Sequence, residues 1–144
     1  MGLVAEIRPG VAVHPLVVTP TSRDLVVWAA ATGDFYEAHY DLEYARSHGL
    51  PGVIVHGTLK LAYFARAITS WAGPDCFVRR ISAEYRGMDL VNQPFTVQGE
   101  VTEVTREQGL LVVTVRLAGV SADGSTSTVG TATFDLPLPE APVG

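Results

Sequence analysis

Residues 58–72 read Thr-Leu-Lys-Leu-Ala-Tyr-Phe-Ala-Arg-Ala-Ile-Thr-Ser-Trp-Ala and contain neither glycine nor proline. Leu59, Leu61, Ala62, Tyr63, Phe64, Ala65, Ala67, Ile68 and Trp71 are spread around much of a helical circumference. A helix that is apolar on most sides must be covered on most sides, so this one belongs largely buried in a core. At 1.5 Å per residue it spans roughly 22 Å. Gly73-Pro74 stops it.

The C-terminal half of the chain supplies the cover. In 76–86, Phe77, Ile81, Ala83 and Tyr85 share one parity, while Arg80, Ser82, Glu84 and Arg86 share the other. In 95–105, Phe95, Val97 and Val101 alternate with Thr96, Gln98, Glu100 and Thr102. Leu111, Val113, Val115 and Leu117 share a face in 110–119, as do Ala132, Phe134 and Leu136 in 127–136. This is strand periodicity, punctuated by turn signals at Gly87, Gln93-Pro94, Gln108-Gly109 and Asp123-Gly124. One apolar face per strand predicts an antiparallel sheet packed on one side, against the 58–72 helix.

Upstream, residues 11–19 are apolar but carry Pro15, which predicts a short edge segment. Thr21 followed by Asp24 predicts a capping box, with Asp in the usual place of Glu. Leu25, Trp28, Ala29 and Thr32 then follow at helical spacing up to Gly33. Asp41 to His48 predicts a second short helix closed by Gly49 and Pro51. The Pro-rich tail after Leu136 is expected to be loose. The whole is an α+β single domain, 1–144, with its core at about 10–136 and no repeat or linker.

The bulk properties narrow the function classes. With 144 residues, 47% hydrophobic and a mean hydropathy of +0.23, the chain can bury a core and hide further apolar surface against another subunit. No stretch reaches the ~18 apolar residues of a membrane span, and Glu6 and Arg8 interrupt any signal-peptide core. Cys76 is alone, which precludes an intrachain disulfide and fits a cytoplasmic protein. One Cys and four scattered His give no zinc spacing, so no metal is expected. A net charge of −5 argues against nucleic-acid binding. An anionic ligand would need a local basic patch, for which Lys60, Arg79, Arg80 and Arg86 are available. Arg79 shares parity with Phe77 and Ile81, which predicts a strand end or a subunit interface. Trp28 and Trp71 are read as core or interface; His14, His48 and Cys76 suggest no chemistry.

The chemistry is concentrated in residues 33–39, Gly-Asp-Phe-Tyr-Glu-Ala-His, and in His56-Gly57 at the start of the long helix. A carboxylate, an imidazole and a helix start are the parts needed to activate water and polarise a carbonyl. In an ideal helix Asp34 and His39 would point ~140° apart. They converge on one water only if the chain leaves helical geometry after Gly33, which glycine permits.

Gly33-Asp34, His39, and Gly52-Val53-Ile54-Val55-His56-Gly57 before a long helix resemble the MaoC-like (R)-specific enoyl-CoA hydratases. That resemblance covers roughly residues 10–136 and implies a hot-dog fold, a long central helix wrapped by an antiparallel sheet. The family signature Gly-Asp-x-Asn-Pro-(aliphatic)-His is matched at Gly33, Asp34 and His39, whereas Tyr36, Glu37 and Ala38 replace its three other defined positions. The resemblance implies that Asp34 and His39 hold the water and transfer its protons as it adds to a 2-enoyl thioester, and that a backbone N–H at Gly57 receives the thioester oxygen. The same Gly could equally serve a tight turn. His56 is read first as a packing residue at the helix start; with Gly57 and Arg86 it completes the candidate substrate-binding set. Acyl-CoA enters as substrate, with no cofactor.

The segment Phe35–Asp41, with Thr69–Pro74, is similar to small MaoC-like subunits of actinobacterial steroid side-chain degradation. These act on steroid enoyl-CoA thioesters paired with a second MaoC-like protein. A lone sheet of this kind leaves edges to cover, so a homodimer or a heterodimer with a second hot-dog subunit is expected. Two rival readings stand beside the hydratase. The altered Tyr36-Glu37 motif suggests a non-catalytic or partner-dependent subunit, although retention of both Asp34 and His39 opposes it. A hot-dog thioesterase is disfavoured because 58–72 contain no Asp or Glu.

Overall fold

A computed structural model describes residues 6–139. The elements are β1 (Ala12–Val18), α1 (Ser22–Thr32), a 3-10 turn (Glu37–His39), α2 (Leu42–Ser47), α3 (Gly57–Ala72), β2 (Phe77–Tyr85), β3 (Phe95–Glu107), β4 (Leu110–Val120) and β5 (Thr126–Pro137). The strands form one antiparallel sheet in the order β1-β3-β4-β5-β2. Helix α3 lies against four of its strands.

The core forms where the two periodicities meet. Phe64, Ala67 and Ile68 of α3 pack with Phe95, Val97 and Val101 of β3, Val113, Val115 and Leu117 of β4, and Ala132, Phe134 and Leu136 of β5, all buried. Local signals set the ends. Thr21 Oγ1 accepts from the Asp24 N–H and the Asp24 carboxylate accepts from the Thr21 N–H, the reciprocal cap expected at α1. Asp41 caps α2 through the Tyr44 N–H. Gln108 and Gly109, at φ 47° and 82°, form the two-residue turn of the β3–β4 hairpin.

Three expectations are corrected. β2 takes an extra residue between Val78 and Arg80 opposite β5, and such a bulge moves later side chains to the other face. Phe77 therefore does not share the face of Ile81; it is 67% exposed. Arg79 sits at the bulge, its Nε 2.6 Å from Asp135 Oδ1 and its Nη1 3.3 Å from Glu107 Oε2. Lys60, read as a solvated or interface cation that could also reach an anionic ligand, is only 2% exposed and is paired with Asp89 inside the protein. The tail is also tied further than expected: β5 runs through Pro137, and the Leu138 N–H donates to Gly109 O at 2.9 Å. The rest of that tail, 140–144, and positions 1–5 of the expected domain lie outside the described residues. β1 is the expected edge strand, irregular between Val13 and Leu16 where Pro15 withholds an N–H.

Candidate active site

Gly33 ends α1 in the left-handed region at φ 76°, its N–H bonded to Ala29 O. The chain turns out of the helix there and re-coils only at the 3-10 turn that carries His39. This break brings together two side chains that a continuous helix would separate. His39 Nε2 lies 3.9 Å from Asp34 Oδ2, with His39 buried and the Asp34 side chain 44% exposed. At that separation a single water can donate a hydrogen bond to each.

The orientation of His39 is fixed from behind. Its Nδ1 is 2.7 Å from Ile54 O. A carbonyl only accepts, so Nδ1 carries the hydrogen, and in the neutral ring the lone pair is on Nε2, the nitrogen nearest Asp34. Ile54 is held in turn: its N–H donates to Ala38 O, it bridges Leu90, and the neighbouring Val55 N–H donates to Asp89 O at 2.8 Å.

His56 is fully buried, with its ring stacked on that of His39 at 3.8 Å between centroids and 21° between planes. Its Nε2–H donates to the Asp34 carbonyl at 3.2 Å, which leaves Nδ1 unprotonated and without a hydrogen-bond partner among the described residues. Burial lowers the His56 pKa from its ordinary 6.5, the neighbouring His39 pushes the same way, and the bond to Asp34 opposes both. His56 is therefore a neutral prop that fixes the His39 ring plane and the Asp34 backbone at once. The packing role read from the sequence is the one its geometry supports.

Gly57 opens α3, and its first-turn N–H lacks an intrahelical partner by construction. A Cβ there would stand 3.2 Å from the Tyr85 ring, so the close approach of β2 is a reason for glycine. The positive end of the α3 dipole lies at this point. Trp28 Nε1 donates to Thr58 Oγ1 at 3.0 Å and ties α1 to the first turn of α3. Tyr36, at the altered motif position, packs edge-on against His39 at 5.6 Å and against Tyr44 at 5.8 Å.

Asp34, His39 and His56 converge and Gly57 directly follows His56, whereas Arg86 lies beyond the end of β2. It pairs with Glu84 and lines an open groove with Gln98, Glu100 and Arg116. Asp34, His39 and His56 also offer three metal-type donor atoms within 4.8 Å of one another. The stacking of the two rings keeps their in-plane lone pairs from meeting at one point, and His56 Nε2 is already spent on Asp34. The set is built for hydrogen bonding. Burial pushes the Cys76 thiol up to about 11, which keeps it protonated and inert. The sequence reading missed Asp89, which pairs with the buried Lys60 ammonium, and Ser121 and Ser127, which donate to Asp89. The one signal was Lys60 itself, a cation in an otherwise apolar helix.

One long helix covered by a five-stranded antiparallel sheet, with an acid–base pair on the segments leading into that helix, defines a hot-dog protein. The fold matches that of the (R)-hydratase from A. caviae involved in PHA biosynthesis, with a TM-score of 0.82, 22% identity, and coverage of 91% of this chain and 98% of that one. R-hydratase PhaJ1 from Pseudomonas aeruginosa matches at 0.80 and 24% over 93% and 84% of the respective chains. A chain of the ChsH1-ChsH2 complex from Mycobacterium tuberculosis matches at 0.78 and 25% over 90% and 98%. Residues 7–121 match the MaoC like domain, and the chain belongs to that family. No curated protein matches the sequence.

Proposed function

We propose that this protein is an enoyl-CoA hydratase, adding water across the double bond of a 2-enoyl-CoA thioester, and the dehydratase in the reverse direction. The observation that carries the reading is the Asp34–His39 pair, 3.9 Å apart, with His39 Nδ1 bonded to Ile54 O so that the neutral ring turns its Nε2 lone pair to the carboxylate. Membership of the MaoC-like dehydratase family supports it.

In this mechanism a water is held between Asp34 and His39. His39 Nε2 accepts its proton as the water oxygen bonds to Cβ. The π electrons move to the thioester oxygen, which the Gly57 N–H and the α3 dipole stabilise. The enolate re-forms the carbonyl as the Asp34–His39 pair returns one proton to Cα, so one water is consumed and both its hydrogens are placed. His39 contributes general acid–base catalysis, typically worth ~10²–10⁴-fold.

The proposed acyl group is a steroid side chain, and the proposed assembly is a homodimer or a pair with a second hot-dog subunit; likeness to the ChsH1-ChsH2 complex supports the paired form. The test follows loss of conjugated enoyl-thioester absorbance with a short-chain and a steroidal enoyl-CoA, for the protein alone and with a hot-dog partner. Activity that disappears in His39→Ala supports the reading. Near-full activity in Asp34→Ala overturns the assignment of that residue. Tyr36 and Glu37 in place of the family's Asn-Pro favour a second reading, a subunit active only with its partner, which activity of the mixture alone would establish.

A further inference from the structure

Inside the protein, about one helical turn along α3 from Gly57, Lys60 Nζ donates to Asp89 Oδ2 at 2.8 Å and to Gly87 O at 2.9 Å. Ser121 Oγ donates to Asp89 Oδ1 and Ser127 Oγ to Asp89 Oδ2, each at 2.6 Å. The Lys60 and Asp89 side chains are 3% and 5% exposed. Lys60 Nζ also sits over the Tyr85 ring, which itself packs on Gly57. A buried ion pair is weak as a source of stability, because desolvation offsets the attraction. It is strong as a geometric constraint, because neither charge can move without losing its partner. This pair is wired to the candidate site through the backbone. Asp89 O accepts from the Val55 N–H, Val53 O accepts from the Val91 N–H, and Leu90 bridges Ile54. Ile54 O is the acceptor that holds His39 Nδ1.

We propose that the Lys60–Asp89 pair, with Ser121 and Ser127, is the positioning device of the active site. It fastens the segment before β3 to the first turn of α3, and so holds Ile54 O where it keeps His39 in the Nδ1–H form with Nε2 free. Asp89 and Lys60 are positioning residues that act through Ile54; neither touches the reacting atoms in this scheme. The catalytic consequence rests on the hydratase reading, while the effect on His39 does not.

The experiment uses the full chain labelled with 15N-histidine, in which long-range 1H–15N spectra report which ring nitrogen carries the hydrogen. Asp89→Asn and Lys60→Met disturb the charge pair; Ser127→Ala is the gentler variant, keeping both charges and removing one bond to Asp89. Phe134→Leu is the control, a core change on β5 that removes no hydrogen bond of the Lys60–Asp89 pair or of Ile54. In the wild type His39 is expected as Nδ1–H and His56 as Nε2–H. In Asp89→Asn, or in Ser127→Ala should the former not fold, His39 is expected to become a mixture of tautomers. For an active enzyme kcat falls by about tenfold or more while KM changes by less than about threefold. Phe134→Leu lowers Tm with His39 unmoved. Folded Asp89→Asn or Ser127→Ala protein with an unchanged His39 spectrum overturns the proposal and leaves the pair a packing feature. If the wild type hydrates no enoyl-CoA either alone or with a hot-dog partner, the hydratase reading fails on its own, and the His39 spectra still decide the positioning role.

Discussion

Asp34 and His39 each lack, alone, what the proposed reaction needs: an exposed carboxylate is not positioned, and an imidazole of free tautomer presents its lone pair only part of the time. The structure supplies the second requirement through Ile54 O and His56. His39→Ala is therefore expected to lower kcat by ~10²–10⁴-fold in a chain that still folds, with a lower Tm because Ile54 O and the His56 ring lose their partner, as read by steady-state hydration kinetics and thermal unfolding together. His56 makes a different prediction. Its folded pKa lies below the ordinary 6.5, so the unfolded chain binds its proton first. Its contribution to stability is full above that value and is lost as the pH falls through the lowered folded pKa. Tm should drop between pH 7 and pH 5, and the drop should shrink in His56→Gln; an equal drop in both proteins would show that other groups govern the acid limb.

At the scale of elements, the segments around the site are terminated by local chemistry that can be removed one piece at a time. Thr21→Ala deletes the side-chain half of the α1 cap and is expected to cost about 1 kcal/mol in denaturant unfolding. The activity should survive, because that cap is at the opposite end of α1 from Asp34. Gly33→Val would instead force a β-branched residue into the left-handed region at the turn that separates Asp34 from α1. Activity should fall together with stability there. Gly130 is tighter still: a Cβ would collide with Ser82 O on the adjoining strand, so Gly130→Ala should be strongly destabilising and could displace the β2–β5 pairing. The caps and the β3–β4 turn were legible in the sequence because each is a few neighbouring residues. The bulge at Arg79 was not, because its extra residue is defined by pairing with β5, about fifty positions away.

For the whole molecule, β1 and β2 are sheet edges with unpaired backbone groups on one side. Phe77 and Tyr85 on β2, Met88 beyond it, and Phe35, Tyr36 and Tyr40 beside the site are all large and exposed in the single chain. Sedimentation velocity is expected to show a dimer, or a soluble species of defined size only once a second hot-dog subunit is present. A stable, fully active monomer would overturn both forms of the assembly.

The sequence by itself determined the elements, their order and the two residues that carry the proposed chemistry. Periodicity, caps and the Gly-Asp-to-His spacing are properties of a few consecutive residues, and the buried helix announces its own cover. The tertiary structure alone decided how those residues are held. The His39 tautomer depends on a carbonyl 15 positions away, and the neutrality of His56 on burial beneath the site. The burial of Lys60 depends on a carboxylate 29 positions along the chain. A lysine in an apolar helix reads as solvent-facing until its partner is seen, because the cost of burying a charge is set by what surrounds it and not by the residue itself.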